Sequence, residues 1–381
     1  MPRTVVIAPN SDWNIVTFRQ GLIRGIQAAG YDPVVLAPSD PAVERRMQQL
    51  GVDRVRVDIE RSGLNPLADL RLLLQYRRLL KELAPAAFLG FTIKPNIYGS
   101  IAARLTGVPA IANVSGLGTV FLKSGLLERL VVPMYRYALG RADRVFFQNP
   151  DDRQLFVRKK IVRPEQARLV PGSGIDVDLY APSALPDGPP TFLLIARVLG
   201  DKGVREFVEA ARSLRGELHG ARFQLLGPFG VDNRTSISRA ELDRWVARGD
   251  IEYLGSTDDV RPFIAEATAV VLPSYREGLP RSLLEGAAMA RPLIATDVPG
   301  CRQLVEDGVT GFLCAARDSA SLAEAMKKLA RLSPQERRRM GEAARAMVEQ
   351  RYSEEFVVRA YLDALAEFAP REGATEAPLP C

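Results

Sequence analysis

Two glutamates eight positions apart, Glu277 and Glu285, flank a Gly-Leu-Pro-Arg stretch in the second half of the chain. Pro280 fits the first turn of a helix, where its missing N–H costs nothing, and Gly278 allows close approach of the backbone to a ligand. The free N–H groups of such a helix start form an anion site. A carboxylate would repel a phosphate, so each glutamate is better suited to accept hydrogen bonds from sugar hydroxyls. A phosphate flanked by two hydroxyl-bearing rings describes a nucleotide sugar.

Two cations are placed to neutralise the diphosphate of such a ligand. Arg197 ends a predicted strand and Lys202 precedes a predicted helix, so both are expected at the mouth of a cleft. A guanidinium and an ammonium five residues apart can stabilise a diphosphate leaving group without a metal ion. We therefore expect no metal site and no cofactor beyond a nucleotide-sugar substrate.

Short β-branched runs alternate with helical patterns along the chain, which predicts βαβ units and parallel sheets. The predicted strands are residues 4–8, 33–37, 53–57, 87–91, 110–114 and 144–147, then 192–196, 223–226, 251–254, 269–272, 293–295 and 311–313. A stretch rich in proline and glycine, residues 170–190, marks a linker between the two sets. The expected fold is α/β, with two Rossmann-like doubly wound domains facing a cleft and ligands at the carboxyl ends of the strands.

Composition excludes several other classes of site. The chain has 381 residues with one histidine, His219, and three scattered cysteines. A zinc site with several imidazole ligands and a disulfide framework are therefore not expected. Neither a signal peptide nor a run of about 20 apolar residues is recognisable, so we expect a cytoplasmic protein.

The two halves of the chain differ in charge. Residues 1–180 hold 25 Lys and Arg against 16 Asp and Glu, whereas residues 181–381 hold 26 against 29. A basic first half indicates an anionic partner such as nucleic acid, an anionic membrane surface or a phosphate-bearing substrate. The alternative is an uneven spread of charge over solvated faces. No helix-turn-helix signature, RNA-recognition motif or arginine-rich tract supports nucleic-acid binding.

The ordered set of motifs resembles the retaining family 4 glycosyltransferases, which have the GT-B fold. The set in the second half comprises the two glutamates, the pair Arg197 and Lys202-Gly203, and Tyr253-Leu-Gly255. The first half contains Phe91-Thr-Ile-Lys94-Pro-Asn96 and Asn113-Val-Ser-Gly116-Leu-Gly118, similar to a subgroup that builds capsule, exopolysaccharide and O-antigen units on polyprenyl-diphosphate carriers. The resemblance covers about residues 3–365.

The resemblance implies a role for each motif residue. Arg197 and Lys202 would bind the donor diphosphate and stabilise the departing nucleotide, and Glu277 would contact the transferred sugar near the reacting centre. The other implied donor-site residues are Glu285 at the ribose, Gly278, Leu279 and Pro280 along the phosphate and sugar, and Tyr253, Leu254 and Gly255 near the base. The residues implied to face the acceptor are Asn14, Arg19, Lys94, Ser115, Gly116 and Gly118.

The chain departs from this family at one position. Many members have a histidine in the loop after the strand at residues 110–114, where this sequence reads Val114-Ser115-Gly116. His219 lies in a predicted helix of the other half, so Ser115 can take a hydrogen-bonding role but not that of a base. A front-face retaining mechanism, in which the leaving diphosphate accepts the acceptor's proton, needs no protein base.

The resemblance also implies a division of the chain into four parts. Residues 1–180 would form the acceptor-binding domain and residues 181–352 the nucleotide-sugar donor domain. Residues 353–369 would form a helix that crosses back to the first domain, and residues 370–381 a flexible tail.

The sequence thus predicts a metal-independent retaining glycosyltransferase. It would move a hexose or N-acetylamino sugar, carried on UDP, to a saccharide linked to polyprenyl diphosphate in surface polysaccharide biosynthesis. The alternatives are a nucleotide-sugar epimerase of similar fold and a non-catalytic nucleotide-sugar-binding relative.

The segment 121–141 is apolar with spaced cations. It is a candidate for contact with an anionic membrane, or else a crossover helix packed in the core.

Overall fold

A computed structural model describes residues 3–60, 65–117, 126–231 and 233–368. Gly118 and Lys123, together with the predicted tail at residues 370–381, lie outside these ranges. The strands of the first half are β1 (Thr4–Ala8), β2 (Asp32–Ala37), β3 (Asp53–Arg56), β4 (Ala87–Phe91), β5 (Ala110–Val114), β6 (Arg144–Phe147) and β7 (Ala167–Leu169). Its helices are α1 (Asp12–Phe18), α2 (Gln20–Ala28), α3 (Glu44–Leu50), α4 (Pro66–Leu83), α5 (Ser100–Thr106), α6 (Leu126–Leu139) and α7 (Pro150–Arg158).

The second half repeats this alternation. Its strands are β8 (Thr191–Ile195), β9 (Arg222–Leu226), β10 (Glu252–Tyr253), β11 (Ala269–Leu272), β12 (Leu293–Thr296) and β13 (Gly311–Cys314). Its helices are α8 (Val204–Leu214), α9 (Arg239–Ala247), α10 (Arg261–Ala265), α11 (Arg281–Ala288), α12 (Ser319–Arg331), α13 (Pro334–Arg351) and α14 (Glu354–Phe368). Within the described ranges, none of these helices combines the length and the hydropathy needed to cross a bilayer.

The strands form two parallel sheets, which confirms the predicted pair of doubly wound α/β units. The first lobe has the order β3-β2-β1-β4-β5-β6-β7 and the second lobe the order β10-β9-β8-β11-β12-β13. Each order changes direction at one place, between β1 and β4 in the first lobe and between β8 and β11 in the second. A crevice opens outside the carboxyl ends of the strands at such a point, so these two places are the expected ligand sites.

Continuous apolar runs produce the buried strands. The last four residues of β1 and all of β4, β5, β11 and β12 are buried, as expected for parallel strands covered by helices on both faces.

Polar side chains fix where the helices begin. Asn149 caps α7 by accepting the backbone N–H of Asp152, and Ser333 with Glu336 forms a capping box at α13.

The last helix returns from the second lobe to the first. The buried side of α14, with Val357, Tyr361, Ala364 and Leu365, belongs to the same apolar cluster as β1 and β4. Leu365 is 3% exposed, so this return is a packed connection.

The structure differs from the sequence expectations in several places. Helical periodicity at residues 18–29 predicts α2, but α1, which ends at Phe18 just before it, was not predicted. Helical periodicity at residues 97–105 predicts one helix, where the structure has a π-helical turn at Pro95–Gly99 followed by α5. The short strand β7 was not predicted. His219 lies in an exposed turn after α8 rather than in a helix. Pro280 is the N-cap of α11 and not part of its first turn.

Candidate active site

The predicted catalytic residues lie around the carboxyl ends of β8 and β11, where the strand order of the second lobe changes direction. Arg197 follows β8, Lys202 ends a 3-10 turn at Gly200–Lys202, and Glu277 follows β11. The Lys202 Nζ pairs with the Glu277 Oε1. Gly203, with φ +72°, follows at once, and a Cβ there would overlap the carbonyl oxygen of Pro273. Only glycine permits this close packing of the two loops.

The Glu277 side chain is held in place by its own loop. The Ser274 hydroxyl donates to Glu277 Oε1 at 2.6 Å, and the Glu277 backbone N–H donates to the Pro299 carbonyl at 3.0 Å. The side chain of Glu277 is 14% exposed, so it is fixed but not sealed from the cleft. Ser274, three residues before Glu277, was not predicted from the sequence.

Two cations, Arg197 and Lys202, were predicted to bind the diphosphate, and Arg197 is the one with fewer interactions with the protein. Its side chain is exposed at the end of β8, and within the described part of the chain it has no carboxylate within salt-bridge distance. Lys202 is partly neutralised by Glu277, whereas the charge of Arg197 is available to an anion in the cleft. A diphosphate placed here would be flanked by both cations.

The residues predicted near the base form a wall beside Arg197. Tyr253 donates its hydroxyl to the Gly227 carbonyl at 3.0 Å, and the Gly227 N–H donates to the Gly255 carbonyl at 2.7 Å. Burial raises the pKa of Tyr253. Gly227 has φ +146°, and a Cβ there would overlap the Ala196 carbonyl. The loops after β9 and β10 are therefore held tightly against the end of β8, with Leu254 between them.

Glu285 lies in α11 at the junction with the linker. It is 7% exposed, and its Oε1 accepts hydrogen bonds from the Tyr180 hydroxyl at 3.0 Å and from the Arg281 Nε at 2.9 Å. Burial raises the pKa of the Glu285 carboxyl, and the Arg281 guanidinium opposes that rise. Tyr180 and Arg281 were not predicted, because nothing in the motif indicates which residues enclose its second glutamate.

The loop before α11 touches the first lobe. A Cβ on Gly278 would overlap the Ser115 carbonyl and lie 2.8 Å from the Gln148 Oε1. Gly116 has φ +131°, and a Cβ added to it would lie only 3.0 Å from the backbone N of Gly278. Asn149 donates its side-chain N–H to the Gly278 carbonyl at 2.7 Å. The structure therefore brings Ser115 and Gly116 against the donor-side residues.

Further polar contacts hold the two lobes together here. The Arg276 guanidinium pairs with Asp152, which is fully buried at the start of α7. Burial raises the pKa of Asp152, and the Arg276 charge opposes that rise. Gln303 donates to the Asp151 carboxylate at 3.0 Å. These contacts keep the cleft narrow between α7 and the loops after β11 and β12.

Arg19 is the most unusual residue on the acceptor side. It is 2% exposed, and its guanidinium carbon lies 4.2 Å from the centroid of the Phe91 ring. Its Nε and Nη1 have no hydrogen-bond partner in the described part of the chain, and burial lowers its pKa. The Oδ1 of Asn14, also buried, has no partner there either. Unpartnered buried polar groups are costly, which fits residues retained for a ligand.

Lys94 is tied to the first lobe rather than free in the cleft. Its Nζ lies 2.7 Å from Asp69 Oδ1, and the Tyr98 hydroxyl donates to Asp69 Oδ2 at 2.9 Å. Thr92, between β4 and Lys94, has φ +71°, a left-handed conformation that is rare for a β-branched residue. Asp69 lies in the first turn of α4, so this pair fixes α4 to the carboxyl end of β4.

A buried polar network connects Ser115 to α14. Ser115 donates to the Asn113 Oδ1 at 3.1 Å, and the Asn113 side-chain N–H donates to the Tyr361 hydroxyl at 2.7 Å. Asn96 donates to the Asn113 carbonyl at 2.8 Å. Burial raises the pKa of Tyr361 to about 12. Ser115 is thus a hydrogen-bonding member of a neutral network. None of the residues that the structure describes in this network is a histidine.

Two family models match the chain, one in each lobe. Residues 15–173 match the model described as glycosyl transferase 4-like domain, and residues 189–331 match the model described as glycosyl transferases group 1. The two matches together span most of both lobes. The chain belongs to the glycosyltransferases that these two models describe.

Two bacterial glycosyltransferases are similar in sequence to the chain over most of its length. The chain is 26% identical over 368 residues to the N,N'-diacetylbacillosaminyl-diphospho-undecaprenol alpha-1,3-N-acetylgalactosaminyltransferase of Campylobacter jejuni, covering 92% of this chain and 94% of that one. It is 23% identical over 282 residues to the UDP-Gal:alpha-D-GlcNAc-diphosphoundecaprenol alpha-1,3-galactosyltransferase of Escherichia coli, covering 70% and 72%.

Solved structures share the fold. A glycosyltransferase of Rickettsia africae superposes with a TM-score of 0.81 at 15% identity, covering 97% of this chain and all of that one. HepE of Anabaena in complex with UDP-glucose gives a TM-score of 0.77 at 19% identity, covering 96% and 99%. The predicted GT-B fold is confirmed. The predicted transferase is likewise confirmed, which favours it over the epimerase and the non-catalytic binding protein.

Proposed function

We propose that this glycosyltransferase moves a hexose or N-acetylamino sugar from a UDP-sugar to a saccharide carried on polyprenyl diphosphate, as a step in surface polysaccharide assembly. The observation that carries the proposal is the grouping of Arg197, Lys202 and Glu277 where the strand order of the second lobe changes direction. The Campylobacter and Escherichia relatives, whose names specify undecaprenyl-diphosphate-linked acceptors, support the acceptor class. HepE, solved with UDP-glucose, supports the donor class.

The donor binds with its diphosphate between Arg197 and Lys202. Glu277, held by Ser274, accepts a hydrogen bond from a hydroxyl of the transferred sugar. Glu285 receives the ribose, and the base lies against Tyr253, Leu254 and Gly255. In this arrangement the sugar points toward Ser115 and Gly116 of the other lobe, which already touch Gly278.

Transfer proceeds with retention on one face of the sugar. The bond between the sugar C1 and the diphosphate oxygen breaks, and its electron pair stays on that oxygen. The acceptor hydroxyl forms the new bond to C1 from the same face and gives its proton to the departing diphosphate. Arg197 and Lys202 stabilise the negative charge that develops on the leaving group. The protein supplies orientation and charge but no base.

The proposed reaction needs no divalent cation. The two cations at the end of β8 provide the charge neutralisation that the diphosphate requires. We place the reaction at the cytoplasmic face of a membrane, in peripheral contact with the anionic lipid surface through the basic first lobe.

A transfer assay with paired acceptors tests this proposal. The full chain is incubated with UDP- and GDP-sugars and with one saccharide offered in two forms, on polyprenyl diphosphate and on a simple alkyl glycoside. Mass spectrometry of the acceptors measures the gain of one sugar. We expect transfer from a UDP-sugar to the lipid-diphosphate form, with little on the alkyl form.

Two results would contradict the proposal. Conversion of one nucleotide sugar into another, with the acceptor unchanged, would assign the chain to isomerisation. Equal transfer to both acceptor forms would show that the lipid diphosphate is not recognised.

A further inference from the structure

We infer that the outer face of α4 docks on an anionic bilayer and so brings a lipid-linked acceptor to the cleft edge of the first lobe. This inference rests on the proposed function and goes beyond it by naming the surface. The outer face consists of the leucines Leu67, Leu70 and Leu74 and the cations Arg71, Arg77, Arg78 and Lys81.

The leucines of the outer face have no partner in the described part of the chain. Leu67 is 69% exposed, and Leu70 and Leu74 are each 51% exposed. Residues three, four and seven positions apart share one side of a helix, so these three form a stripe along the first half of α4. The opposite side of α4, with Leu72, Tyr76, Leu79 and Leu80, is buried in the core. A contiguous exposed apolar stripe on a soluble lobe marks an interaction surface.

Cations surround this stripe on the same exposed side. Arg71, Arg77, Arg78 and Lys81 are all exposed, and only Arg78 has a carboxylate nearby, Glu82 at 3.6 Å, within the described contacts. Asp58 and Glu60 lie on the far side of a groove next to α4, where Asp58 pairs with Arg56. A helix that lies on an anionic membrane inserts apolar side chains into the membrane–water interface and places cations beside lipid phosphates. The outer face of α4 has this pattern.

The position of α4 connects this face to the acceptor side. Asp69, on the buried side of its first turn, binds Lys94 and Tyr98, which follow β4. The leucine-bearing half of α4 therefore lies at the carboxyl edge of the sheet, near the point between β1 and β4 where the strand order changes direction. A membrane-embedded carrier would present its diphosphate at this edge while its hydrocarbon stays in the bilayer.

A bilayer fits this face better than a second copy of the chain does. A symmetric dimer would place the same patch on both partners and bring its cations against one another. Anionic headgroups remove that repulsion. The other membrane candidate, segment 121–141, includes α6, where Val131 and Tyr135 are buried and Arg136 donates to the carbonyls of Lys159 and Lys160. Residues 121–125 of that segment lie outside the described ranges.

Vesicle co-sedimentation with matched triple variants tests the inference. The full chain is mixed with phosphatidylglycerol–phosphatidylcholine vesicles and with phosphatidylcholine vesicles. Leu67→Ser, Leu70→Ser and Leu74→Ser are combined in one variant; Leu105→Ser, Leu169→Ser and Leu179→Ser, which are 53%, 44% and 49% exposed, form the control. We expect binding to the anionic vesicles that falls at least about tenfold in the α4 variant and is unchanged in the control.

A second readout separates this inference from the proposed function. Without vesicles, transfer to a short-chain, water-soluble prenyl-diphosphate acceptor should be within about twofold of wild type in both variants. Vesicle binding that survives in the α4 variant would overturn the inference, as would wild-type transfer without any vesicle binding. A wild-type dimer in light scattering that the α4 variant dissociates would assign the face to self-association instead. No transfer by wild type to any prenyl-diphosphate acceptor would contradict the proposed function itself.

Discussion

At the scale of single residues, the donor site is organised by a few side chains that hold one another. Glu277 is oriented by Ser274 and Lys202, and Arg197 retains a charge that no described carboxylate neutralises. The sequence predicted Glu277 from its spacing to Glu285, and Arg197 and Lys202 from their places at the end of a predicted strand and the start of a predicted helix. It did not predict Tyr180 or Asp69, because each meets its motif partner only through tertiary packing.

Lys202→Ala and Glu277→Ala should each lower turnover by about 10²–10³-fold, since each removes a group that orients or neutralises the reacting centre. Initial rates with saturating donor measure this loss. Lys327→Ala is the matched control for Lys202, because its side chain is 17% exposed against 20% and is also paired with a glutamate, Glu217. A loss below about tenfold at Lys202 or Glu277 would remove that residue from the catalytic set.

Ser115→Ala should retain substantial activity. The Ser115 hydroxyl donates to Asn113 within a neutral network, and the front-face mechanism gives the acceptor's proton to the leaving diphosphate. We expect a loss of about tenfold or less, as for one neutral hydrogen bond of roughly 1 kcal/mol. A near-complete loss of turnover, with the variant folded by circular dichroism, would indicate that Ser115 takes part in proton transfer.

At the scale of elements, the apolar runs and the glycine- and proline-rich stretches between them predicted most strands to within a residue or two. The strands β1, β4, β5 and β11 coincide with their predicted ranges because a continuous apolar run has clear ends. Boundaries that depend on tertiary contacts were not predicted. Arg19, buried with its guanidinium over the Phe91 ring, separates α1 from α2, and β7 is only three residues long with two of them exposed. Periodicity carries no signal for either feature.

Gly278→Ala should separate the two lobes at their closest contact. An added methyl would overlap the Ser115 carbonyl, so the loop before α11 must move away from the loop after β5. We expect turnover to fall by at least about tenfold, because small misplacement of reacting groups is costly. Gly216→Ala is the control, since a Cβ at Gly216 meets nothing within 4 Å. Wild-type kinetics in Gly278→Ala would show that this contact does not set the geometry of the site.

At the scale of the whole molecule, α14 joins the lobes that the cleft separates. Glu354, the first residue of α14, accepts the Gly21 backbone N–H at 3.2 Å, and Tyr361 ends the network that begins at Ser115. The C-terminal helix of the chain therefore supports the acceptor-side lobe directly. Any movement of one lobe against the other must therefore change the contacts that α14 makes with the first lobe.

Glu354 should make the stability of the whole chain depend on pH. Burial raises the pKa of its carboxyl above the ordinary value of 4.5. The folded chain then binds more protons than the unfolded chain between these two values, so the contribution of Glu354 to the free energy of unfolding falls as pH rises through that window. Glu354→Gln lacks this titration, so its stability relative to wild type should increase from pH 4 to 7 in urea unfolding.

Glu342→Gln, an exposed substitution on α13, controls for the loss of one carboxylate. A difference between Glu354→Gln and wild type that stays constant with pH, or that decreases, would show that the Glu354 carboxyl is not desolvated at the lobe junction. This experiment tests the connection between the lobes, and its result does not bear on the assignment of the donor site.

The most direct test of the central claim is the anomeric configuration of the product, determined by NMR after transfer from a UDP-sugar of known configuration in the presence of EDTA. The account predicts a product with the same configuration as the donor, formed at a rate that chelation does not change. A product of inverted configuration would contradict the front-face mechanism. A requirement for added divalent metal would contradict the assignment of diphosphate stabilisation to Arg197 and Lys202.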